Sequence, residues 1–274
     1  MKSINENGKK ALSIILENYS PNVEFNSRDS GIHSATLNSL ANSYYLIKVD
    51  NCSPKRYYYN GTLKEKWDKM NTPFPSYKSY SLEEYGKEKR MSYDELIKYL
   101  KNKYGDVKYD YFSNFDTLAK DTGNGRGKEG LYIHHIMEKW FTDLTKNSPW
   151  NREEFHYADK LVYCNVYEHL LLHMKICLEW KEDDLVADEN GFVQLVGIGG
   201  VLNFIAPIIY KKSAPPTVNI TFLDEFDIKT ELNDFQYQID KSEFGDFFSI
   251  SLRYLDFVQY VKNSDNSLDY SLAG

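Results

Sequence analysis

The chain has 274 residues, with 33 Lys and Arg against 40 Asp and Glu, and 3 cysteines. That length allows one or two domains with a sizeable core, and cysteines without a C-x-x-C pair exclude a disulfide framework and a zinc ribbon, so a cytoplasmic protein is expected. The net charge of −7 argues against non-specific phosphate binding over the whole surface, and no apolar run approaches the ~20 residues of a membrane span.

Charge is uneven along the chain. Residues 1–130 carry 21 basic against 17 acidic side chains, and residues 131–274 carry 12 against 23. The first half is therefore the expected nucleic-acid face. The acidic second half reads first as a solvated surface and second as a contact for a protein partner.

In chain order, Ala11, Ile14 and Ile15 give residues 8–18 helical spacing, which Pro21 and an Asn- and Ser-rich passage end. Residues 44–49 predict a strand, 50–55 its turn and 56–59 a partner strand. The sequence KRYYYN there mixes cations with aromatic faces, as single-strand binders do; half-buried strand tyrosines are the commoner case and the preferred reading. Residues 61–90 predict short helices and surface loops. Ser92 and Glu95 form a capping box, Leu96, Ile97 and Leu100 follow at helical spacing, and Gly105 stops the helix. Its Lys98, Lys101 and Lys103 are candidate phosphate contacts, or the solvated side of an ordinary amphipathic helix.

Gly123, Gly125 and Gly127 predict a flexible loop bearing Arg126 and Lys128, and a planar guanidinium there suits a phosphate clamp. Residues 131–136 have the alternation of a strand that ends on His134 and His135, which it points to opposite sides. In the polar connection that follows, His156 reads as a surface histidine. Residues 161–164 predict a short buried strand. Asn165 and Glu168 then match a second capping box, so a helix starts near Val166. On it His169 and His173 stand one turn apart on one face, where both imidazoles reach one ion. Such a pair alone is more often core than ligand; behind a His-His strand it predicts a metal site.

Residues 181–189 read as an acidic link and 192–196 as a strand. The G-x-G-G run at Gly197 to Gly200 lacks the third glycine of a dinucleotide fingerprint, and predicts a tight turn into a buried helix stopped near Pro207. Residues 252–261 predict a last helix before a polar tail.

The stretch GLYIHHIMEKW followed by KLVYCNVYEHLLLHMKICLEW resembles the HNH, or ββα-metal, nucleases, in the histidine-rich version found in colicin-type DNases. The resemblance covers roughly 50 residues. It implies His134, His169 and His173 as ligands of one divalent ion (Zn, Ni, Mn or Mg) and His135 as general base. The family's middle Asn falls at Lys160, a departure that hands its bracing role to Asp159 or Asn151. Colicin-type DNases also carry an Arg and a Glu ahead of the pair, at a spacing different from that of Arg126 and Glu129.

The expectation is thus an α+β protein with an embedded ββα-metal motif between mainly helical flanks. Residues 1–122 would be an accessory region, 123–181 the nuclease core and 182–274 an acidic, mainly helical region. The expected activity is metal-dependent hydrolysis of phosphodiesters in DNA, or less favourably RNA, with His135, Arg126 and Lys160 as candidate catalytic residues. The rival class is a metal-stabilised binding module without turnover.

Overall fold

The computed structural model describes residues 2–43, 45–49, 52–75, 80–141, 144–146, 151–179, 196–210 and 226–241. Helix α1 (Glu6–Asn18) is capped by Asn5, whose side chain accepts from Gly8 N at 2.9 Å, and it turns Ala11, Leu12 and Ile15 inward. Strands β1 (Phe25–Asn26), β2 (Ile47–Lys48) and β3 (Arg56–Tyr58) form an antiparallel sheet in the order β1-β3-β2, so the expected hairpin gains a third strand from upstream. Tyr57 and Tyr59 are buried, donating to Asn38 Oδ1 at 2.8 Å and to Tyr19 O at 2.6 Å. Within the sheet Tyr57 pairs with Phe25 and Lys48, and Tyr58 with Ile47. Helices α2 (Ser27–Ser30), α3 (Ser34–Asn42) and α4 (Leu63–Asn71) lie with this sheet, and His33 accepts from Ala35 N at 3.3 Å as the cap of α3.

The second hydrophobic cluster is built on α5 (Leu82–Lys89), α6 (Tyr93–Tyr104) and the elements after them. Both halves of the predicted capping box on α6 are present, at 2.9 and 3.3 Å, and Gly105 follows with φ 79°. Strands β4 (Phe112–Asn114) and β5 (Ala119–Lys120) pair, as do β6 (Tyr132–His135) and β7 (Leu161–Cys164), with His134 opposite Val162 and His135 opposite Leu161. Helix α7 (Val166–Leu178) follows β7 after its own capping box. It is buried on nearly every side, and a helix apolar all round belongs in the middle of its neighbours. Helices α5, α6, α8 (Ala206–Tyr210) and α9 (Ile228–Lys241) and the β6, β7 ribbon pack around it. The described residues are therefore mixed helix and small antiparallel sheet, an α+β arrangement.

Several expectations change. The apolar clusters divide between residues 70 and 80, apart from Tyr109, so α5 and α6 pack with the centre of the chain and not with the accessory region to which residues 1–122 were assigned. The glycine loop is tied down at its start, because a Cβ on Gly123 would come within 2.5 Å of Ser3 and 2.8 Å of Tyr109, and Asp121 accepts from Ser3 N at 2.7 Å, while Gly125, Gly127 and Lys128 stay exposed. Lys103 is no surface cation: its Nζ lies 2.6 Å from Glu84, 3.2 Å from Glu88 and 2.6 Å from Glu168, over the Tyr80 ring at 4.4 Å. The helix expected to stop at Pro207 runs to Tyr210, entering α8 through a π-helical turn, Gly200–Ile205. That wider turn absorbs the proline, which has no N–H to give. Helix α9 was not anticipated; Ile228, Leu232, Phe235 and Ile239 form its buried stripe. The predicted strand at 192–196, save Val196, and the predicted helix at 252–261 lie outside the described residues. No described helix is long and apolar enough to cross a membrane.

Candidate metal centre

Strand β6 sends His134 toward α6 and α7. The Tyr93 hydroxyl lies 3.1 Å from the Ile136 carbonyl and 2.9 Å from His134 Nε2. A carbonyl only accepts, so Tyr93 donates to it and receives the Nε2 proton of His134. The lone pair of His134 is thereby left on Nδ1. That atom is buried and has no hydrogen-bond partner, and it stands 3.4 Å from Glu138 Oε2. His173 repeats the device: its Nδ1 donates to Gly197 O at 3.2 Å, which leaves Nε2 bare at 3.2 Å from His169 Nε2 and 3.1 Å from Glu138 Oε2.

Ligand atoms from His134, Glu138, His169 and His173 all lie within 4.8 Å of one another. Two atoms bound to one tetrahedral ion at about 2.0–2.1 Å stand about 3.3 Å apart, which the 3.4 Å from His134 Nδ1 to Glu138 Oε2, the 3.1 Å from His173 Nε2 to the same oxygen and the 3.2 Å from His173 Nε2 to His169 Nε2 match. Burial pulls His134 well below the usual imidazole range, and His173, His169 and His135 reinforce this against the pull of Glu138. Burial, then His173, takes His169 down to about 3. Burial would raise Glu138, but His134, His135 and His173 outweigh it and hold the carboxyl well below its ordinary value. Neutral imidazoles beside an ionised carboxylate are the protonation state that ligates a divalent ion. The cluster meets solvent along half-buried His169 and along Glu138, whose side chain is 20% exposed.

His135 leaves the strand on the other side, into a second chain of polar groups. Its Nδ1 faces the other carboxylate oxygen, Glu138 Oε1, at 3.2 Å, and its Nε2 lies 3.0 Å from His156 Nδ1. Asn151 fixes the direction: its amide nitrogen donates to Lys146 O at 2.8 Å, so its oxygen faces His156 Nε2, 2.5 Å away. His156 is therefore protonated on Nε2 and accepts from His135 Nε2. Burial and the neighbouring His135 lower His156 to about 3. Expected at the surface, His156 is in fact 1% exposed, enclosed by Tyr111, Phe112, Phe115 and His135.

The other two candidates stand apart from this cluster's bonding. Arg126 is buried, sandwiched by Phe74 at 4.2 Å and Tyr163 at 5.0 Å. Its Nε donates to Glu129 at 2.7 Å, one terminal nitrogen to Tyr104 O at 2.7 Å, and the other pairs with Glu129. Every guanidinium nitrogen is engaged, so Arg126 braces the loop and is no free phosphate clamp. Lys160 is exposed and pairs with Asp159 at 3.2 Å; of the two residues offered for the bracing role, Asn151 is the one that joins the histidine network.

Glu138, Tyr93 and Gly197 were missed. Glu138 had a legible signal, a carboxylate four residues after His134, but that spacing faces the histidines only because a 3₁₀ turn, Ile136–Lys139, follows the strand at once. No protein-family model, characterised protein or solved structure matches the chain.

Proposed function

We propose that the chain is a divalent-metal-dependent phosphodiesterase acting on nucleic acid, DNA before RNA, through an HNH-like centre formed by β6, β7 and α7. The observation that carries this is the orphaned, buried Nδ1 of His134, aimed at His169, His173 and Glu138 across a strand-strand-helix unit. His134, His169 and His173 would hold the ion with Glu138 as a fourth ligand, and three imidazoles favour Zn, Ni or Mn over Mg. When bound, such an ion would supply Lewis-acid stabilisation of charge on a phosphate oxygen, which needs the open position that Glu138 would have to yield. His135 is oriented by Glu138 on Nδ1, and it would serve as base at Nε2 after that nitrogen has lost the proton it donates to His156 and exchanged His156 for water.

A specific observation favours a second reading, a metal-stabilised binding module without turnover: His135 is 1% exposed and both its ring nitrogens are engaged. Incubating the purified chain with supercoiled plasmid across Mg, Mn, Ni and Zn, with and without chelator, separates the two. Chelator-sensitive nicking supports the hydrolase. Ion binding without nicking supports the module.

A further inference from the structure

We infer that the Gly197 to Gly200 turn is a positioning device for the metal centre, which sets the proton and the direction of the His173 ring. This rests on the metal reading of the histidine cluster. The turn comes from beyond residues 181–189 and lies directly on α7. Gly197 has φ 86°, and a Cβ on it would stand 2.8 Å from His173 O and 2.9 Å from Cys177 Sγ. Any other residue there would be strained in backbone and would collide with the helix.

The two glycines do different things to one ring. Gly197 supplies the carbonyl that takes the Nδ1 proton of His173, 24 residues away in sequence. Gly200 supplies room: a Cβ there would fall within 2.5 Å of His173 Cε1 and 2.9 Å of Cγ. Which imidazole nitrogen ligates is decided by the bond the other makes. With a carbonyl on Nδ1 and no side chain behind the ring, Nε2 is the atom presented to His169 and Glu138. Val196, Ile198 and Val201 are buried and anchor the turn in the core. The glycine pattern that superficially suggests a nucleotide site is thus explained by a histidine.

The test is a two-by-two set of full-length chains: wild type, Gly200→Ala, His173→Ala and the double variant, each titrated with Co²⁺ and melted without metal. Gly200→Ala is expected to weaken Co²⁺ binding about 10- to 100-fold and to lower the melting temperature. In the His173→Ala background the same change should cost no further affinity and should leave the melting temperature equal or higher, since alanine is the better helix former. Wild-type affinity in Gly200→Ala, or an equal further loss in the His173→Ala background, overturns the inference. Nitrogen NMR of the wild-type imidazoles reads the proton directly and needs no variant to fold: His173 protonated on Nδ1 supports the device, and protonation on Nε2 overturns it. If the wild type binds no Co²⁺, the metal reading fails on its own, and the NMR and melting results still judge the turn.

Discussion

Glu138 divides its two carboxylate oxygens between two histidine networks, one facing His134 and His173 and the other facing His135. Glu138→Gln keeps the shape and removes the charge. It is expected to weaken divalent-ion binding on the order of 100-fold, the upper range for tuning groups around a metal, as measured by competition with a chromophoric chelator; unchanged affinity would remove Glu138 from the ligand set. In the proposed hydrolase the histidine pair separates by role. His135→Ala should leave ion affinity nearly intact while reducing plasmid turnover by ~10² to 10⁴, the range for losing a general base, whereas His134→Ala should lose both. His156→Ala strips the partner from His135 Nε2 and opens space among aromatic rings, so a stability loss of roughly 2–4 kcal/mol is expected, with ion affinity kept. If His156→Ala abolishes ion binding in calorimetry, the two networks are not separate. The clustered histidines were legible because i, i+4 on a helix and adjacent positions on a strand have fixed directions. His156 was not, since its burial is created by Tyr111, Phe112 and Phe115 from a distant hairpin.

At the scale of elements, the features that sequence foresaw were those with local chemistry at their ends. Ser92 with Glu95 and Asn165 with Glu168 announce α6 and α7 because a cap satisfies backbone N–H groups within four residues. Helix α9 has such a cap in Asp227, whose side chain accepts from Lys229 N at 3.0 Å, yet it was not foreseen, because acidic and aromatic residues interrupt its stripe of Ile228, Leu232, Phe235 and Ile239. Between α5, α6 and α7 lies a buried cluster in which Tyr80 donates to Glu88 at 2.5 Å and Tyr104 to Glu168 at 2.8 Å. Burial, then Glu168, pushes Glu88 from 4.5 up to about 8, against Lys103 and Tyr80. The native state therefore keeps a proton that the unfolded chain has already lost between pH 4.5 and 8. Unfolding releases it, so stability is fullest below the lower value and falls as pH rises through the window, with a slope of at most about 1.4 kcal/mol per pH unit. Urea melts of wild type and Glu88→Gln should show that slope flattened in the variant; parallel pH profiles would place the proton elsewhere.

At the scale of the whole molecule, a net charge of −7 means that any nucleic-acid contact must be local. An open groove lined by Lys87, Arg90, Lys98, Tyr99 and Asn102, with Met91 and the acidic Glu95 among them, lies along α5 and α6, in the half of the chain with the basic excess. Reversing Arg90 and Lys98 to Glu is expected to weaken duplex binding and to lower the salt slope by roughly one per lost phosphate contact; an unchanged salt titration would put the contact on another face. The chain brings its histidines together from β6 and α7 and finishes the site with a turn that lies past residue 195, which is why no single stretch of sequence displays the whole centre. The most direct test of the account is the metal content of the full chain after loading with Zn²⁺ and removal of free ion. About one ion per chain is expected in the wild type, with sharply reduced uptake in His134→Ala, His169→Ala and His173→Ala; equal uptake by the wild type and all three variants would contradict the centre proposed here.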